Sequence, residues 1–231
     1  MSTLLEKTGI TAEQQNTSTG TLADLMHRLG DVPLERIRTD PPPGMATEAD
    51  VERIASQEKR YFELVDGVLV EKTVGVPESL LASVVIQFMR NWLATRKLGI
   101  VLAPDGLLKL YPGTVRGPDV SFISGTRLAG GRVPREQLPL LTPDLAVEIL
   151  SPSNTKKEMD RKRREYFKAG TRLVWEIDPQ TRTATVYTDP ENLTLLKEDQ
   201  SLDGGEVLPG FSLSLRELFG ELDAQYGPTG Q

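Results

Sequence analysis

The chain has 231 residues, enough to bury a substantial core in one domain and still carry an N-terminal arm. Its 27 Lys and Arg against 33 Asp and Glu give a formal charge of −6, so contact with a polyanion has to be local. With no cysteine and one histidine, His27, the sequence excludes thiol catalysis, thiolate zinc, iron–sulfur clusters, disulfides and any two-histidine metal site within the chain.

Residues 1 to about 20 are polar and rich in Thr, Ser and Gln, and are expected to form a mobile tail. From Thr21, the spacing of Leu22, Leu25, Met26 and Leu29 predicts a short helix ended by Gly30. His27 falls off that stripe and is expected on the surface. Pro41-Pro42-Pro43-Gly44 reads as a linker, and a second short helix is expected over about 47–59. These features divide the chain into an N-terminal extension, residues 1–45, with one short helix, and a main domain, residues 46–231. No run approaches the roughly 18 apolar residues of a membrane span, so a soluble, cytoplasmic protein is expected, with no membrane partner. The sequons at Asn16 and Asn192 then carry no weight.

The main domain opens with β-favouring residues on both sides of Asp66-Gly67, a hairpin signal. A long helix follows over about 77–97, its apolar positions recurring at three and four. Strands are expected at 100–103, 107–111 and 119–124, then Leu145–Leu150, a charged helix over about 155–169, a strand at 172–178, two more near 183–188 and 193–198, and a last helix at 214–219. Strand, helix, strand between 145 and 177 has the form of a crossover, which predicts a mixed α/β sheet.

Three acids stand where burial makes them costly. Glu63 interrupts the first hairpin strand, Asp119 opens a strand after Gly117-Pro118, and Glu148 interrupts an apolar run. Alternation puts Glu148 on the face of Ala146 and Leu150, opposite Val147 and Ile149. If the two strands are neighbours, Asp119 and Glu148 converge, and paired carboxylates suit Mg²⁺ or Mn²⁺. Taken singly, each acid can equally be an edge residue or a salt-bridge partner. Between Lys156 and Arg172 there are eight Lys or Arg and three acids, a basic segment suited to a phosphate-bearing substrate. The other reading of that segment is a solvated helix face with i,i+4 pairs such as Glu158 with Lys162.

Pro118-Asp119-Val120-Ser121, the run Pro143 to Asn154, Lys162 four residues before Tyr166, Ala169-Gly170 and Trp175 to Pro179 together resemble the Uma2 family, and Tyr61 to Gly67 resembles its opening motif. The family's endonucleases belong to the PD-(D/E)XK superfamily. The resemblance covers about residues 60–188. It implies a restriction-endonuclease-like α/β core, a curved mixed β-sheet flanked by helices. By position, Asp119 and Glu148 are its metal-binding acids, Glu63 is the acid contributed earlier in the chain, and Lys162 replaces the lysine usually found two residues after the second acid, where this chain has Leu150. The function so implied is endonucleolytic hydrolysis of phosphodiester bonds in nucleic acid, DNA foremost, with Mg²⁺ or Mn²⁺ as cofactor. Glu63, Asp119, Glu148 and Lys162 would be catalytic; Asp160, Arg161 and Lys157 are secondary candidates, either for supporting the site's residues or for contacts to the substrate backbone. A homodimer is the expectation for cutting both strands. Two other readings use the same acids: a non-catalytic DNA-binding or scaffold module on the nuclease fold, which Leu150 and the acidic net charge favour, and a metal-free carboxylate-pair glycosidase, which leaves the basic helix without a role.

Overall fold

A computed structural model describes residues 20–73 and 75–226. The sequon at Asn16 and nearly all of the expected tail lie outside the described residues. The first helix, α1 (Leu22–Arg28), starts at a capping box in which Thr21 Oγ1 accepts from Asp24 N and the Asp24 carboxylate accepts from the Thr21 amide. Its apolar stripe is narrower than predicted, because Leu22 at the free end is 64% exposed. A 3₁₀ turn (Leu34–Arg36) and α2 (Glu48–Gln57) follow.

The hairpin forms as its sequence dictates. β1 (Phe62–Val65) and β2 (Val68–Glu71) pair antiparallel around Asp66 and Gly67, whose φ values of 50° and 71° are those of a type I′ turn. A side chain at position 67 is excluded, since a Cβ there would lie 2.6 Å from the Gly44 backbone. Next come α3 (Val76–Leu93), β3 (Gly99–Leu102), β4 (Leu108–Tyr111), β5 (Thr114–Arg116), β6 (Val120–Ser124) and β7 (Leu145–Ile149). The crossover helix α4 (Lys156–Ala169) leads to β8 (Leu173–Asp178), β9 (Thr183–Tyr187) and β10 (Leu193–Lys197). The described chain ends in the short ribbon of β11 (Ser201–Asp203) and β12 (Ser212–Ser214) and in α5 (Leu215–Tyr226). The sequence misses β5, β11 and β12, each three residues long and too short for a period to show. It also ends the last helix too early: α5 runs past Gly220 because Leu222 still packs against the core.

Two larger sheets carry the structure. One is antiparallel, in the order β2-β1-β5-β4, and the other is mixed, in the order β10-β9-β8-β7-β6-β3, where β7 and β8 are the parallel pair joined by α4. Helices flank the mixed sheet, as expected. On one face α3 and α5 meet Val120, Phe122, Val147, Ile149, Trp175 and Ile177. On the other, Ala146, Val174 and Ile123 meet Tyr166 of α4. Residues 25–37 of the N-terminal arm are seated on this body: Leu29 and Val32 pack with Val65, Val68 and Val70, and Ile37 bridges to Val70. The Arg36 guanidinium forks onto Glu158 of α4 at 2.8 and 3.0 Å. Among the described residues no helix is long and apolar enough to cross a membrane.

Candidate functional site

Four elements deliver the expected acids and lysine to one place. The link Arg116-Gly117-Pro118-Asp119 carries the chain from β5 in the antiparallel sheet to β6 in the mixed sheet, which sets Asp119 at their junction. β6 and β7 are neighbours, with Val120 opposite Val147, so Asp119 falls beside Glu148. Its Oδ2 accepts the Ile149 amide at 2.8 Å. Alternation along β7 turns Glu148 toward α4, with Ala146, while Val147 and Ile149 face α3. Glu63 comes from β1 and Lys162 from the inward face of α4.

Lys162 joins two of the acids. Its Nζ lies 3.2 Å from Glu63 Oε1 and 3.1 Å from Glu148 Oε2, with all three side chains buried. The reach along the helix that the sequence requires of this lysine is therefore made. The Tyr166 hydroxyl, one turn later, donates to Glu148 Oε1 at 2.5 Å. Asp119 instead receives a lysine absent from the sequence expectations: Lys72, just past β2, places its Nζ 3.1 Å from Asp119 Oδ1. The same ammonium donates to the carbonyls of Pro104 at 3.0 Å and Gly117 at 2.5 Å.

Glu63 is held differently from the other two acids. Its Oε2 accepts from Arg116 Nη1 at 2.7 Å, and its Oε1 accepts from the Gly117 amide at 3.2 Å. Arg116 also clasps Glu165, at 2.6 and 2.7 Å, and Glu165 in turn accepts from Arg161 at 2.7 Å. An alternating chain of charges thus runs from Arg161 near the surface through Glu165, Arg116 and Glu63 to Lys162 and Glu148.

This network separates the acids electrostatically. Burial works against ionising Glu63, but Lys162, Arg116 and Lys72 outweigh it and hold its carboxyl down to about 2. Burial pushes Glu148 up to about 7; Lys162 pulls the other way, and Asp119 and Glu63 add to the rise. Burial acts to lower the Lys162 pKa, yet Glu148, Glu63 and Glu158 raise it above the ordinary lysine value. Two oppositely signed pH dependences of stability follow. Glu63 stabilises the fold above its ordinary value of 4.5, and that contribution is lost as pH falls toward 2. For Glu148 the folded state binds the extra proton, so stability falls as pH rises from 4.5 to about 7. In urea titrations with EDTA, Glu148→Gln should remove the second dependence. Its stability relative to the parent should climb between those pH values by up to about 3 kcal/mol; a pH-independent difference would contradict the raised carboxyl.

The basic helix carries i,i+4 pairs at Lys156 with Asp160 and Arg161 with Glu165, but not between Glu158 and Lys162. Glu158 is 2% exposed and pairs with Arg36, across from the arm, and Lys162 turns inward. Arg163 joins Asp160 and Glu176, and Arg172 joins Asp144. Much of the helix's charge is therefore structural, and its exposed cations are Lys156, Lys157, Arg164 and Lys168. Of the three secondary candidates, Lys157 and Arg161 lie on the outer side of the helix, while Asp160 is tied to Lys156 and Arg163. Leu150 lines a separate cleft of about 430 Å³ beside Ser151, Met159 and Glu176.

As a home for a hard divalent ion, the donor set fits in part. Asp119 and Glu148 present carboxylate oxygens side by side, and the Lys72 ammonium already sits in a cradle made wholly of oxygen. Both oxygens of each acid already meet a donor: those of Glu63 face Lys162, Arg116 and the Gly117 amide, those of Glu148 face Lys162 and Tyr166, and those of Asp119 face Lys72 and the Ile149 amide, so an ion would have to displace an ammonium group at any of them. Among the described residues no three His, Cys, Asp or Glu side chains form a ready metal cage.

Comparison with known proteins agrees with this arrangement at the level of fold and family. No curated protein matches the sequence. Among solved structures, a putative nuclease belonging to DUF820 from Anabaena variabilis ATCC 29413 superposes with a TM-score of 0.63 at 20% identity, covering 71% of this chain and 92% of that one. The family model for Uma2, described as a putative restriction endonuclease, matches residues 49–216, the stretch that supplies Glu63, Asp119, Glu148 and Lys162. Because that match takes in both sheets and the crossover helix between them, the chain belongs to the Uma2 family.

Proposed function

We propose that the protein is a divalent-metal-dependent endonuclease acting on nucleic acid, DNA foremost, at the junction of the two sheets. The observation that carries this reading is the convergence of Asp119, Glu148 and Lys162 from three separate elements onto one buried point. Asp119 and Glu148 would hold Mg²⁺ or Mn²⁺. When bound, that ion supplies Lewis-acid chemistry on a phosphoryl oxygen and lowers the pKa of water. Asp119 is aimed by the Ile149 amide, which occupies Oδ2, while Oδ1 pairs with the Lys72 ammonium that an ion would displace. Glu63 has the part of a positioning residue: with Glu148 it fixes the Lys162 ammonium, a point cation able to neutralise charge developing on phosphate. Tyr166 holds the Glu148 carboxylate in one orientation.

The test is cleavage of duplex and single-stranded DNA, and of RNA, by the full chain with Mg²⁺ or Mn²⁺, against the same reaction in EDTA and against Glu148→Gln. Metal-dependent cutting that the variant lacks supports the proposal; equal cutting, or none by the parent on any substrate, overturns it. The mutual neutralisation of the cluster favours a second reading, a non-catalytic scaffold whose charges serve folding alone, and the same assay decides between them.

Lys72 bears on metal entry. Its ammonium occupies the oxygen cradle at Asp119, so an ion binding there has to displace it. Lys72→Met should therefore tighten Mn²⁺ binding by about tenfold or more, read by calorimetry without substrate, since a unit positive charge beside a divalent ion is removed. Unchanged or weaker binding would place the ion elsewhere.

A further inference from the structure

The outer side of α4 carries a feature that the acid cluster does not use. Lys157, Arg161, Arg164 and Lys168 follow one another at spacings of four, three and four, which aligns them along one face of the helix. The stripe is about 16 Å long at 1.5 Å per residue. It forms one wall of an open cleft of about 450 Å³, with Arg28 of α1 and Tyr111 of β4 on the other side. Two acids also line the cleft, and two of the stripe's cations are already paired: Arg161 with Glu165 at 2.7 Å and Asp66 at 3.0 Å, and Lys157 with Asp31 at 2.6 Å. Asp160 is shared by Lys156 and Arg163, and Glu165 by Arg116 and Arg161. The outermost cations are held loosely. Arg164 meets Glu191 at 3.7 Å with the two side chains 62% and 78% exposed, and the Lys168 ammonium rests 4.5 Å from the centre of the Tyr111 ring. The loosely held positive charge of the groove therefore sits at its outer end, on Arg164 and Lys168, in a chain whose net charge is −6.

We propose that this cleft binds consecutive phosphates of a nucleic-acid strand, at a site separate from the acid cluster. A linear stripe of basic side chains about 16 Å long matches an extended polyanion better than a compact anion. Lys162 projects from α4 into the cluster while the stripe projects outward, so the cleft is distinct from the acid cluster. The proposal rests on the nuclease reading for its partner, and the two are tested apart.

Binding is read by fluorescence anisotropy on the full chain in EDTA, with labelled single strands and duplexes of roughly 20 nucleotides, over a salt series. The double variant Arg164→Ala with Lys168→Ala should raise Kd about tenfold and lower the slope of log Kd against log salt by about 1 to 2. Arg90→Ala with Lys97→Ala removes the same charge from exposed positions near and beyond the end of α3, and should change Kd by less than about twofold. Equal effects from the two pairs, or no binding by the parent, would overturn the proposal. So would inorganic phosphate competing as well as the strand at equal phosphate concentration, which would make the cleft a small-anion site. Hydrolysis of bis(p-nitrophenyl) phosphate, a diester too small to span the cleft, reports the acid cluster alone. If the cleft variant binds normally and the diester is still hydrolysed, the cleft proposal fails by itself. If the diester is untouched but the cleft pair weakens strand binding, the nuclease reading fails by itself.

Discussion

Glu148→Gln is expected to lower the metal-supported cleavage rate by about 10³-fold while leaving the protein folded. The size follows from the work assigned to the carboxylate: Lewis-acid stabilisation of a phosphoryl transition state is worth several kcal/mol, and each 1.36 kcal/mol is a decade in rate. The amide is close to the carboxylate in shape and still accepts the Tyr166 hydroxyl, so packing around Tyr166, which is fully buried, is kept. What it loses is the negative charge. Lys162 keeps Glu63 as a counter-charge, so the substitution leaves no isolated buried ammonium. The measurement is kcat under saturating Mn²⁺, with Mn²⁺ affinity measured separately and near-ultraviolet circular dichroism confirming the fold. A rate within tenfold of the parent would show that Glu148 does not hold the ion. Glu63→Gln provides the contrast. Because Glu63 acts through Lys162, it should lower kcat less than Glu148→Gln does and leave metal affinity nearly unchanged.

The parts of this site that are legible in the sequence are those that local patterns fix. Period-two alternation turns Glu148 away from Val147 and Ile149, toward the charged helix α4, while Val147 and Ile149 meet the apolar face of α3 and α5. The Gly-Pro before Asp119 marks a strand start, whereas Lys162 is picked out by the family resemblance and not by any local pattern. The partners of these residues are not legible. Arg116 sits at the end of a three-residue strand with no periodic signal, yet that strand pairs with β1 and so delivers the guanidinium to Glu63. Lys72 lies just past a hairpin strand, and its contact with Asp119 depends on how the two sheets meet. In α4 the sequence shows how much charge the helix carries but not which charges face inward. A Glu-Lys interval of four reads as a surface pair, whereas Glu158 and Lys162 each find a better partner across a buried interface, Arg36 and Glu148.

Arg116 is where the fold should be most sensitive. Its guanidinium is 3% exposed and binds two buried carboxylates, Glu63 at 2.7 Å and Glu165 at 2.6 Å. Burying such ions is costly, and their mutual attraction offsets that cost only while every partner is present. Arg116→Met keeps the apolar stem and removes the charge. Glu63 then retains Lys162 and the Gly117 amide, and Glu165 retains Arg161, but both are under-compensated in the interior. The expected loss is about 3 to 5 kcal/mol, the range for breaking a buried pair from one side. At roughly 2 to 4 °C per kcal/mol for a chain of this size, the melting temperature should fall by on the order of 10 °C. Arg116→Lys should recover only part of the loss, because a single ammonium cannot serve two carboxylates in the fork geometry. Adding Glu63→Gln to Arg116→Met should restore stability relative to the single variant, since it removes the charge left stranded. In urea unfolding at constant m-value, a loss below about 1 kcal/mol for Arg116→Met would mean that water screens these charges, as in exposed pairs. A positive coupling in the double-variant cycle would instead establish the alternating chain from Arg161 to Glu148 as a single cooperative unit, in which the acid cluster and the join between the two sheets are held by the same charges.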